Sequence, residues 1–230
     1  MNREVRFTSA TVELRTARQD GSPGVMRGYA LKYDTLSQNL GGFVESVAHG
    51  AVDKSLGDGL DIVARWNHDD AHLLGRTASG TVRLESDDIG LLYDIDLPNT
   101  STGRDLAVLA ARGDVYQSSF AFYTLEDEWG ATEQGFPLRT LRAVRLVDVA
   151  PVNTPAYLDT EAGLRSLAEC RGFDLSAVKR AAEAGALADL LNSAPADGEE
   201  RAADETPQVD NHGLIVVRQR LKALHLRRNI

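Results

Sequence analysis

The sequence predicts a mainly β protein with flanking helices and a helical C-terminal tail, and three observations carry that prediction. Short alternating apolar runs recur at close spacing through the first 160 or so residues. Turn chemistry separates them, at residues 19–24, at Ser79 and Gly80, and at residues 87–90. Beyond about residue 160 the composition changes to Ala, Leu and Glu at helical spacing.

Thr11-Val12-Glu13-Leu14-Arg15 alternates strictly, as a half-buried strand does. Residues 25–33 form a second strand, and the two make a hairpin with a long loop. Residues 62–68 are the next strand, with His68 at its polar end. Runs at 73–77, 81–84 and 91–97 follow after short turns, and strands so closely spaced predict an antiparallel sheet or barrel. One helix interrupts them. Thr100 or Ser101 caps its start, Leu106, Leu109 and Ala110 form its apolar stripe, and Gly113 stands where a left-handed residue ends a helix. Residues 115–125 leave that helix as a strand. Residues 138–149 form the last strand, stopped by Pro151 and Pro155, which cannot donate to a ladder. Residues 161–170 and 175–191 are helical.

These elements divide the chain into a β domain over 1–165, a helical extension over 166–192, an acidic flexible linker over 193–211 and a basic amphipathic helix or tail over 212–230. In that last part Arg218, Arg220, Lys222, Arg227 and Arg228 surround Ile215, Val216, Leu221, Leu224 and Leu226. A chain of 230 residues holds one good-sized core with a tail, or two small domains. No apolar run approaches the ~18 residues of a membrane span, and the charged start, Met1 to Arg6, lacks the apolar segment of a secretory signal. The single cysteine, Cys170, points to a reduced, cytoplasmic setting. A net charge of −9 argues against a nucleic-acid partner. Neither a cofactor nor a membrane partner is expected.

Three positions carry candidate chemistry. His68 ends an apolar run beside Asn67, Asp69 and Asp70, where an imidazole can act as a general base; it is equally an ordinary histidine in a polar turn. His72 competes with it, but nothing in its flanks favours it. The 67–72 segment lacks a standard metal-ligand spacing. Ser118 and Ser119 lie among large residues on a strand, so they point to opposite faces. Either could be a nucleophile if a base took its proton, or a plain strand serine. No Gly-x-Ser-x-Gly elbow is present. Asp148 is a carboxylate in an apolar strand and, if buried, needs a partner: a histidine N–H, or Arg142 or Arg145 nearby.

In order along the chain, a set of segments resembles one family. They are Gly28-Tyr29-Ala30, residues 43–52, Trp66-Asn67-His68-Asp69, residues 74–81, Gly90-Leu91, residues 97–100, Arg112-Gly113-Asp114-Val115, Ser118-Ser119-Phe120-Ala121-Phe122, and residues 147–157. The family is the phage prohead (capsid maturation) proteases, relatives of the herpesvirus assemblins, and the resemblance spans residues 28 to 157. It implies an assemblin-like antiparallel β-barrel core. It also implies a serine endopeptidase that processes scaffold and major capsid protein inside the immature procapsid in the host cytoplasm and commonly cleaves itself; a homo-oligomer is a further expected partner, not one the resemblance implies. By motif position His68 is the base, Ser119 the nucleophile, and Asp148 stands where the family usually shows Glu. Ala121 replaces a usual glycine, and Ser118 a usual apolar residue. Backbone N–H groups are the expected oxyanion hole. The competing reading is an inactive scaffold or minor capsid component.

Overall fold

Two β-sheets share one apolar core in the structure, a computed structural model that describes residues 3–8, 10–15, 22–153 and 161–193. The chain runs β1 (Glu4–Thr8), β2 (Glu13–Arg15), β3 (Val25–Lys32), β4 (Val44–Val47), α1 (Asp53–Gly57), β5 (Val63–Arg65), β6 (Leu73–Arg76), β7 (Val82–Ser86), β8 (Gly90–Asp96), α2 (Ser101–Arg112), β9 (Gln117–Ala131), β10 (Pro137–Val152), α3 (Glu161–Arg171), α4 (Leu175–Glu183) and α5 (Leu187–Asn192). One sheet has the order β1-β9-β10-β5-β6, with β4 also on β10; the other has the order β2-β3-β8-β7. The fold is thus mainly β with a few helices, as expected, but its strands do not close into one antiparallel barrel. β4 and β5 both run parallel to β10, because the chain crosses over through α1 between them.

The long β9–β10 hairpin is the spine. Its inner face contributes Phe120, Phe122, Val144, Leu146 and Val149 to the core, against Met26, Leu31, Tyr93 and Ile95 from the second sheet. β10 pairs with β4 at Leu138–Leu141 and with β5 at Asp148 and Val149, leaving an unpaired stretch between. Ser55 of α1 fills it: its Oγ donates to the Val144 carbonyl (2.7 Å) and accepts from the Leu146 N–H (2.9 Å), while the Val144 N–H reaches the Ala51 carbonyl (2.9 Å). α1 and the turn that leads into it so supply the hydrogen bonds a strand would have made.

The expected hairpin of β2 and β3 forms, with Leu14 opposite Met26. α2 starts at Thr100, whose hydroxyl accepts from the Gly103 N–H (3.3 Å), and ends at Gly113 with φ of 84°. Three expectations need correction. β10 does not stop before Pro151 but runs to Val152; the proline needs no donor there, and its carbonyl accepts from the Asn67 N–H at 3.1 Å. The 175–191 helix is broken into α4 and α5 at Gly185, whose φ is 68°. β5 ends at Arg65, so His68 sits in the following turn and not on a strand.

α3, α4 and α5 pack Leu164, Leu167, Val178 and Leu187 against Leu40, Phe43 and Trp129 in a second small core. The described residues all belong to one unit, Met1–Pro195; the expected linker and basic tail lie outside the described residues except at Ser193. No helix among the described residues is long and apolar enough to cross a membrane. Gly103 of α2 has no room for a side chain: an added Cβ would lie 2.0 Å from the Pro98 carbonyl oxygen. Gly103→Ala is therefore expected to lower unfolding free energy by about 1–3 kcal/mol, measured as a reduced urea midpoint; an unchanged midpoint would mean that the Pro98 turn moves freely.

Candidate active site

Strand alternation decides which serine faces what. Ser119 and Asp148 share one face of the β9–β10 hairpin, since Ser119 pairs with Ala150 and Asp148 with Ala121. Ser118 points into the core, where its hydroxyl shares a 2.8 Å hydrogen bond with the Tyr93 hydroxyl. Burial pushes that phenol's pKa well above its usual value, and the Ser118 bond only partly opposes this. Gly28 makes the room: a Cβ there would come within 2.8 Å of Tyr93 Oη and 3.0 Å of Ser118 Oγ.

His68 reaches the same face from its turn. Asn67 and His68 both have positive φ, 56° and 59°, a backbone state that costs a non-glycine residue about 1–3 kcal/mol. The surroundings enforce it. The Asn67 N–H bonds Pro151, the Asn67 side-chain carbonyl accepts from the Asn153 N–H (3.1 Å), and the turn closes on itself through Trp66 to His72 (3.1 Å) and Asp69 to Trp66 (3.2 Å). The result aims the His68 ring between two partners. Nε2 lies 2.6 Å from Ser119 Oγ, and Nδ1 contacts Asp148 Oδ1. The three sequence-predicted residues are brought together, whereas Ser118 faces away and His72 pairs outward with Asp69 (3.3 Å).

Asp148 has no exposed surface. Its other oxygen, Oδ2, accepts from Arg65 Nη1 (2.6 Å) and from Arg3 Nη2 (2.7 Å). The two arginines considered from the sequence do not take part: Arg142 pairs with Glu128 (2.7 Å) and Arg145 is exposed. Arg65 carried a readable signal, three residues before His68 in the same run; Arg3 did not. Burial opposes the Asp148 charge, but the His68 hydrogen bond and the charges of His68, Arg3 and Arg65 outweigh it and hold its carboxyl below the ordinary carboxylate range.

β1 closes the site from one side. The Ser119 hydroxyl is 2.8 Å from the Arg6 carbonyl oxygen, and Ser119 has no exposed surface. β1 is itself anchored by buried charges. Arg139 bonds Glu4 (2.7 Å), Glu45 (2.9 Å) and Asp127 (2.6 Å), and Arg6 bonds Glu4 and Glu45 (2.8 Å each). None of His68, Ser119 and Asp148 lines the cavity of about 240 Å³ bounded by Arg6, Thr8, Leu31, Gln38 and Phe120. Among the described residues no group of three His, Cys, Asp or Glu side chains is placed to hold a metal ion.

A partly buried imidazole between a serine hydroxyl and a carboxylate is the arrangement of a hydrolase that works through a serine. The chain matches the family described as caudovirus prohead serine protease over residues 10–173, more than half its length, and belongs to that family. The match extends through α3, beyond the segments that carried the resemblance. Among solved structures the chain is similar to the capsid assembly protease of bacteriophage T4, gp21, with 10% identity and a TM-score of 0.45 over 65% of this chain and 96% of that one. No curated protein matches the chain.

Asp148 and Glu4 both have carboxyls held below their ordinary range; for Glu4, burial is outweighed by Arg139, Arg6 and Thr124. A carboxylate whose folded pKa is depressed contributes stability above its unfolded pKa, and that contribution is lost as pH falls through the folded value. Unfolding free energy should therefore drop as pH falls below about 4. Asp148→Asn should flatten that slope, as read from denaturant melts between pH 5 and pH 2. A variant slope equal to the wild-type slope would mean that Asp148 is not among the carboxylates that titrate on acid unfolding.

Proposed function

We propose that the protein is a serine endopeptidase that processes scaffold and major capsid protein during phage prohead maturation, with Ser119 as nucleophile, His68 as base and then acid, and Asp148 as the carboxylate that orients His68. The observation that carries the reading is the continuous contact from Asp148 Oδ1 through both nitrogens of His68 to Ser119 Oγ. Membership of the prohead serine protease family supports it.

Ser119 Oγ attacks the scissile carbonyl carbon while His68 Nε2 takes the hydroxyl proton. The Nδ1–H stays on the ring and donates to Asp148, which fixes the tautomer and offsets the imidazolium charge. The tetrahedral intermediate collapses with loss of the amine, which leaves carrying the proton from Nε2. Water, deprotonated by the same nitrogen, then hydrolyses the acyl-serine. Backbone N–H groups are the proposed oxyanion donors. Because Ser119 is buried and its hydroxyl also meets the Arg6 carbonyl, a substrate carbonyl has to displace that contact to reach Oγ. Self-cleavage and assembly into a homo-oligomer belong to the same proposal, as does action inside the procapsid.

The test is co-expression with the capsid and scaffold proteins of the same phage. Ser119→Ala is expected to abolish their cleavage, a loss on the order of 10⁶-fold in rate, and Asp148→Asn to slow it on the order of 10⁴-fold. Ser118→Ala should retain cleavage while losing about 1 kcal/mol or more of stability, because the Tyr93 hydroxyl loses its partner. Cleavage by Ser119→Ala together with loss in Ser118→Ala would reverse the assignment. An intact capsid protein in the presence of the wild-type chain would remove the protease reading altogether.

A further inference from the structure

We propose that Arg65 is a positioning residue that holds the Asp148 carboxylate and the His68 turn in a single arrangement by bridging the two. Its Nη1 donates to Asp148 Oδ2 at 2.6 Å, and its Nε lies 2.8 Å from Asp70 Oδ1, in the turn that carries His68. One planar guanidinium therefore grips the orienting acid on β10 and the turn that presents the base. The inference rests on the triad reading above and deepens it.

The geometry makes the bridge consequential. With Oδ2 taken by cations, Oδ1 is the oxygen left to face His68. The turn needs an external hold, because Asn67 and His68 both adopt left-handed backbone. Asp70 is largely exposed, with 87% of its side chain accessible, while Arg65 is 20% accessible. Packing therefore does little to fix Asp70, and its pairing with Arg65 is what ties it to the site. Arg3 is a second cation on Oδ2 but is 38% accessible, and among the described residues it makes no hydrogen bond or ion pair with the turn. A lysine at 65 would keep the charge yet lack the fork needed to span two carboxylates. Among the described residues, the charged and titratable groups linked to the His68 ring are Asp148, which contacts it, and Arg3 and Arg65 on the far oxygen of Asp148, with Asp69, Asp70 and His72 in its own turn.

A fluorophosphonate probe tests this on the full chain without knowledge of the cleavage sequence. Ser119 Oγ bonds to phosphorus, the P–F bond breaks, fluoride leaves, and the hydroxyl proton passes to His68 Nε2. Labelling rate is measured against pH, with the folded fraction of each variant followed by circular dichroism. Arg65→Met is expected to slow labelling on the order of 10- to 100-fold. It should also move the pH midpoint upward, since one cation fewer opposes the imidazolium. Arg65→Lys should keep the wild-type midpoint but label several-fold more slowly. Should the Met variant fail to fold, the Lys variant decides alone: a wild-type rate overturns the bridge. A folded Arg65→Met with wild-type rate and midpoint overturns it too, as do rates in both variants that fall only with the folded fraction. Ser119→Ala separates the two claims. If it labels like wild type, the triad reading fails and takes the Arg65 role with it. If it stays unlabelled while Arg65→Met labels normally, only the Arg65 role fails.

Discussion

A carboxylate with no exposed surface has to be compensated where it stands, and Asp148 is compensated by groups from three other parts of the chain. Arg3 precedes β1, Arg65 ends β5, and His68 lies in the turn beyond it. Removing one partner of a buried ion pair typically costs about 3–5 kcal/mol, because the remaining charge is stranded. The cost of leaving Asp148 unpaired therefore acts on the docking of all three segments. The same contacts leave one carboxylate oxygen for the imidazole. Stability and the arrangement of the site are, at this residue, one electrostatic problem.

A second buried cluster does for β1 what Asp148 does for the turn. Arg6 and Arg139 sit among Glu4, Glu45 and Asp127, joining β1, β4 and the β9–β10 hairpin. A one-residue slip of β1 along β9 would turn Glu4 and Arg6 to the opposite face and leave their partners unmatched. The cluster thus specifies the register in which Phe7 faces Ser119 and the Arg6 carbonyl meets its hydroxyl. It also delivers Arg3 to Asp148. Two charge clusters, one on each face of the long hairpin, fix the two segments that converge on Ser119.

Much of the β framework was legible because its physical signals are local. The alternation at residues 11–15, the turns near Gly80 and Gly90, the Thr100 cap and Gly113 correspond to β2, β7, β8 and α2. What was not legible depended on partners distant in sequence. β1 reads as a charged terminus, since the burial of Glu4 and Arg6 makes sense only once Arg139 and Glu45 are beside them. β4 and β5 lie parallel to β10 because of a crossover that no local pattern announces. The strand through Pro151 survives because its missing donor is not needed, and its carbonyl serves Asn67. At the site, His68, Ser119 and Asp148 were legible through the family resemblance and strand alternation. Arg65 left only its nearness to His68 as a signal and Arg3 left none, because a buried carboxylate tells of the need for a cation but not of which one meets it.

The serine hydroxyl has one proton and two acceptors within reach, His68 Nε2 at 2.6 Å and the Arg6 carbonyl at 2.8 Å. Only the imidazole can take that proton away; a peptide carbonyl can hold it but not remove it. Transfer therefore needs the hydroxyl turned to His68, and this depends on how firmly the ring is presented. Firm presentation is costly, since it rests on two consecutive left-handed residues, and the cost is met by hydrogen bonds to Pro151 and Asn153 and by the Arg65–Asp70 pair. Those anchors lie on β10, just past its end at Asn153, and on β5, and these two strands also carry and clamp Asp148. A displacement of β10 against β5 would disturb the acid and the base together, whereas a displacement of β1 would free the serine and withdraw Arg3 from Asp148, leaving Arg65 and His68 on the carboxylate. In the proposed mechanism, the strand that yields to a substrate is thus joined to the acid that holds still through Arg3, while Arg65 and the His68 turn do not depend on β1.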